Sequence, residues 1–126
     1  MGTGSWTLSD AWVLAAVGAG RARQALTLRE VIGVADWLNH AVLTEGEFTA
    51  AIGRLVAAGL VEADAGADAY RATPAGIALL GTWKGGPSGW IGAVPPRLER
   101  LGPPDDGASE LPPGVFRRAV DDYLSA

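Results

Sequence analysis

Residues 44–72, TEGEFTAAIGRLVAAGLVEADAGADAYRA, constrain what this chain can fold into more than any other stretch. Thr44 followed three residues later by Glu47 is a capping box, in which the hydroxyl accepts from the N3 amide and the carboxylate from the cap amide. Phe48, Ala51, Ile52, Leu55 and Val56 then recur at helical spacing and predict a buried stripe. Gly59 stands where a helix closes on a left-handed residue, and Leu60 follows to pack back on the last turn. The next residues read as a two-stranded ribbon, 60–64 and 69–72, around the polar tip Ala65-Gly66-Ala67-Asp68, with Gly66 as the permissive turn residue. A helix therefore hands over directly to a hairpin.

The flanks extend this order. Thr7 or Ser9 caps a first helix, roughly residues 8–19, with Leu8, Trp12, Ala15 and Ala16 in line. Gly18 and Gly20 are its stop signals. A second capping box, Thr27 and Glu30, opens a helix whose Leu28, Val31, Ile32, Ala35 and Leu38 are core-spaced. Asn39 and His40 begin the turn into the Thr44 helix. Thr73-Pro74, a cap followed by proline at the first helical position, starts a fourth helix expected to run to about Trp83. Beyond it the composition changes. GGPSGW reads as a flexible link, and VPPR and GPPDDGASELPPG bracket a short helical turn around residues 98–101. The chain ends on residues 115–124, where Val115, Phe116, Ala119, Val120, Tyr123 and Leu124 form an apolar stripe.

At 126 residues the chain is long enough to bury a core without metal or disulfide. With no Cys it has no disulfide, thiolate nucleophile or cysteine zinc site. The amino terminus lacks a basic leader, and the apolar run 11–19 is too short to span a bilayer, so a cytoplasmic protein without a membrane partner is expected. The net charge of −4, from 10 basic and 14 acidic side chains, argues against general polyanion binding. Residues 1–83 carry five Arg against eight acids, so no basic half stands out.

Three helices, a hairpin and a helix, and within them the phrase FTAAIGRLVAAGLVEADAGADAYRATPAGIALL, resemble the winged helix-turn-helix domains of small bacterial transcription regulators of the MarR and PadR types. The likeness covers residues 8–83, with Thr73, Pro74, Ala75 and Gly76 as the helix start that follows the wing. It implies a mainly α fold with a small β-hairpin wing in residues 1–83. Residues 84–126 are then a Pro/Gly-rich extension, ending in an amphipathic helix, that packs on that domain or on a partner. It further implies a non-enzymatic binding module for transcription regulation, with the Thr44 helix as the one that would enter a DNA major groove.

On that helix the outward set is Thr49, Ala50, Gly53, Arg54 and Ala57. Thr49 and Arg54 are the residues able to read a base. Arg21, Arg23, Arg29 and Arg71 are the candidates for phosphate, while Glu45, Glu47, Glu62, Asp64 and Asp68 oppose it. Duplex DNA contact is thus expected to be weak or conditional. The alternative is a protein-interaction surface: Ala50, Gly53 and Ala57 form a small-residue strip that a protein partner can approach closely, and Trp37, beside Asp36 and away from the apolar stripe of its own helix, is expected to be exposed and to mark an interface. The strip could equally be covered by the C-terminal helix, whose own stripe offers a homodimer interface. A third reading places a flat aromatic ligand among Trp6, Trp12, Trp37, Trp83 and Trp90.

Enzymatic and cofactor readings are poor. His40 with Asp36 four residues earlier makes at most one face of a metal site. Ser88 lacks the order of a nucleophile elbow, and Lys84 precedes its glycines instead of following them. Asp105-Asp106 and Asp121-Asp122 read as solvated surface. No catalytic residue, metal or cofactor is expected.

Overall fold

The computed structural model describes residues 5–19, 24–81, 86–107 and 109–125, with the side chains of 86–90 left aside. Helices α1 (Leu8–Ala19), α2 (Leu28–Asn39) and α3 (Glu45–Ala57) lead into strands β1 (Val61–Asp64) and β2 (Ala69–Ala72). Helices α4 (Pro74–Leu80), α5 (Gly86–Glu99) and α6 (Val115–Ser125) follow. The fold is mainly helical with one small antiparallel hairpin, Val61 opposite Ala72 and Asp64 opposite Ala69.

Local chemistry sets the helix starts. Both capping boxes close: Thr27 with Glu30, and Thr44 with Glu47. Thr7, not Ser9, caps α1, its Oγ1 accepting from the Asp10 amide while its own N–H donates to Asp10 Oδ2. Thr73 accepts from Gly76 N and opens α4 at Pro74. Gly59 adopts φ 75°, and the Leu60 amide donates to Leu55 O, which ends α3 as the glycine signal implies.

Helix α1 is the axis of the molecule. From Asp10 to Val17 every residue is buried, because α2, α3, α4, α5 and β2 all pack around it. It has no solvent stripe, which departs from the one-faced helix expected, and Leu8, placed in line with that face, is exposed. Trp12 lies in the core and donates its indole N–H to Ala35 O at 2.8 Å. Across the core Phe48 meets Tyr70 edge-on at 5.2 Å and Phe116 at 5.9 Å.

The largest departures lie in the last third. From Gly86 on, the expected GGPSGW link is replaced by the 14-residue helix α5, with Pro95 and Pro96 inside it, and the turn at 98–101 forms the end of that helix. Each internal proline costs about 3 kcal/mol in a helix. Ile91, Val94 and Leu98, at i, i+3 and i+7, are all buried, each contributing roughly 1.5–3 kcal/mol, and α5 packs on α1. Tertiary burial offsets the local penalty. Helix α4 stops at Leu80, short of Trp83, which lies outside the described residues. Arg97 of α5 reaches back and donates to the last carbonyls of α4, Leu79 O at 3.2 Å and Leu80 O at 2.5 Å.

Helix α6 folds back on α2, so the apolar stripe of residues 115–124 meets its own chain. Phe116 is buried, whereas Leu124 leaves the stripe and is 63% exposed. Tyr123 lies over Gly33, where an added Cβ would come within 3.1 Å of its ring, and donates its hydroxyl to Asp36 at 2.6 Å. That hydrogen bond raises the Tyr123 pKa above its ordinary value of 10.0. Burial, with Asp68 and Asp64 nearby, raises that of Tyr70. Because both folded values lie above the unfolded one, their stabilisation is complete below the unfolded tyrosine pKa and is lost as pH rises through the folded values. An absorbance titration of the native protein should show no tyrosinate step at the ordinary value. A step there means that at least one of the two environments does not form in solution.

A single antiparallel bridge completes the sheet. Leu26 pairs with Tyr70 through N–H···O contacts of 2.7 and 2.9 Å, adding a one-residue strand beside β2 that the sequence reading did not contain. Asp68, at φ 51°, accepts from the Leu28 amide at 2.8 Å, tying the hairpin tip to the start of α2. No helix among the described residues is long and apolar enough to cross a membrane.

Candidate functional site: the outer face of α3 and the strap across it

The stripe Phe48, Ala51, Ile52 and Leu55 points into the core. Val56, assigned to the same stripe, is exposed instead. The opposite side of α3 belongs to short residues: Ala50 and Ala57 are exposed, but Gly53, between them, is buried. Residues 102–107 run across it. Gly107 rests against Gly53, and a Cβ built on either glycine would collide with the other's carbonyl oxygen. Only two bare backbones fit at that distance. The strip is thus covered in its middle, by the segment ahead of α6 and not by the C-terminal helix.

Arg54 corrects the reading of an outward arginine free to touch a base. Its Nη1 donates to both carboxylate oxygens of Asp10, at 3.2 and 3.3 Å, and its Nε to Asp106 Oδ1 at 3.2 Å. Asp10 is fully buried, whereas the Asp106 side chain is 86% exposed. One guanidinium therefore joins α1, α3 and the strap. Burial lowers the Arg54 pKa, but the bonds and charges of Asp106 and Asp10 outweigh it and raise it further, so the side chain stays charged.

The other candidates are dispersed. Thr49 turns its hydroxyl back to Glu45 O at 2.9 Å, spending its donor within the helix. Arg71 pairs with Glu62 across the hairpin at 3.1 Å, so it too is engaged by a carboxylate. Arg29 is exposed on a groove of about 420 Å³ shared with Arg118, Asp68 and Asp122, a wall of mixed charge. Arg21 and Arg23 lie outside the described residues. Trp37 is 55% exposed on α2, as expected. Trp6 is buried, donating its indole N–H to Gly102 O at 2.9 Å, and Trp12 is in the core, so those two do not form an open aromatic cleft. His40 caps α2 in the left-handed region. Among the described residues no group of three or more His, Asp or Glu is placed to hold a metal.

Two residues that matter here, Asp10 and Gly107, were missed, and Asp106 was read only as solvated surface. Its side chain is exposed as that reading has it, but it also engages Arg54. The acid–glycine pair at 106–107, facing a glycine–arginine pair at 53–54, is the pattern that could have found them. The sequence and fold were compared with known proteins: no family model matches the chain, and no curated protein or solved structure matches it.

Proposed function

We propose that the chain is a non-enzymatic winged-helix interaction module that docks a protein through α3 and the hairpin, and that it does not grip duplex DNA with that face. The topology supports the winged-helix reading: helix, one-residue strand at Leu26, helix, helix, then two strands, with Leu26 bridging Tyr70 on β2. The observation that carries the functional reading is the neutralisation of Arg54 and Arg71, the two arginines on α3 and the hairpin, by Asp10, Asp106 and Glu62. Glu45, Glu62 and Asp64 are exposed around them. Phosphate binding needs cations that release counterions, and this face offers carboxylates instead.

The test is a photo-crosslinking residue at Ala50, together with retention of a random duplex at low and physiological ionic strength. The expected result is a polypeptide adduct at Ala50 and no duplex retained under either condition. A nucleic-acid adduct, or a duplex held with affinity falling steeply as salt rises, overturns the proposal and restores the DNA-reading regulator.

A further inference from the structure

We infer that residues 102–107 are an autoinhibitory strap, occupying in cis the α3 face that a partner segment carrying an aspartate followed by a glycine takes in trans. The inference rests on the docking role proposed above and names the chemistry of what docks. The strap itself shows what fits. Asp106 brings a carboxylate to Arg54 Nε, and Gly107 brings a backbone with no side chain to Gly53. The seat is organised from below: buried Asp10 holds the Nη1 side of Arg54 and leaves the Nε edge facing outward.

The strap is held by packing, at buried Pro104 and at Gly107 on Gly53, and by one side-chain ion pair. Among the described residues no backbone hydrogen bond joins residues 103–107 to α3, and the Asp106–Arg54 pair is exposed at its carboxylate end. Exposed ion pairs of this kind contribute little to stability. Further anchors lie at its ends: Trp6 on Gly102 O at its first residue, and α6 docked on α2 after it. A segment fixed at both ends and joined to α3 by no backbone hydrogen bond lifts from its seat without unfolding the rest.

The strap-lifting variant combines Asp106→Asn with Gly107→Val, and both reporters are visible by NMR in the full chain. Hydrogen exchange at Arg54 Nε–H should accelerate roughly tenfold relative to wild type. The Trp12 indole N–H, bonded to Ala35 O in the core, should keep its protection. A synthetic peptide of residues 101–107, added at the millimolar level that such a tether supplies in cis, should return the Arg54 signal to its wild-type position. Unchanged Arg54 exchange, loss of Trp12 protection in step with it, or no response to the peptide each overturns the inference. Should the double variant fail to fold, Asp106→Asn alone adds no bulk and should still accelerate Arg54 exchange, and its failure to do so also overturns the inference. A strap that opens and recloses on the peptide while Ala50 crosslinks only nucleic acid sinks the protein-docking role and leaves the strap standing.

Discussion

Replacing Arg54 with Met should cost about 3 kcal/mol of folding stability, because it strands the fully buried Asp10 without its cation. What remains to that carboxylate is the Thr7 amide at 2.8 Å, too little to hold a charge inside a helix pack. Arg71→Met makes the comparison. Its pair with Glu62 is exposed at both ends, so its loss should fall within about 0.5 kcal/mol of wild type. Urea unfolding of both variants separates the two, with the midpoint moving and the slope unchanged. Equal midpoints would show that Asp10 is solvated in the folded protein. Adding Asp10→Asn to Arg54→Met should recover part of the loss, since the uncompensated charge is then gone.

The second large effect is expected at Gly76. A Cβ there would strike the Leu60 carbonyl oxygen and press on Ala72 Cβ. Leu60 O already accepts from the Thr73 amide at 2.9 Å, and Gly76 N is held by the Thr73 hydroxyl. Backbone on one side and a rigid Cβ on the other leave nothing to yield. Gly76→Val should therefore destabilise by about 3 kcal/mol, at the upper end for overpacking. Gly92→Ala on α5 is the control: nothing lies within 4 Å of its added Cβ, so it should stabilise by about 0.5–1 kcal/mol. A Gly76 variant as stable as the Gly92 variant would mean that α4 sits farther from the hairpin than described.

What could be read from the sequence follows the range of the interactions involved. Thr27 with Glu30 and Thr44 with Glu47 are three residues apart, so their geometry is written locally, and the two helix starts came out right. The core stripe of α2 was legible for the same reason. Helix α5 was not, because Pro95 and Pro96 are local signals against a helix while the burial of Ile91, Val94 and Leu98 depends on α1, more than seventy residues away. Leu26 forms a strand of one residue, which no alternation pattern can announce. At the candidate site, helical spacing put Gly53 and Arg54 on the side away from the core stripe. It could not say that Gly107 and Asp106 would cover one and engage the other.

The all-round burial of α1 also bears on how the protein is made. A ribosome releases this apolar cylinder well before its last wall, α5, which follows some seventy residues later. Until then the nascent chain carries Val13, Leu14 and Val17 on a rod without its full sheath, the kind of surface that chaperones shield. Truncation between α4 and α5 would make that transient nakedness permanent.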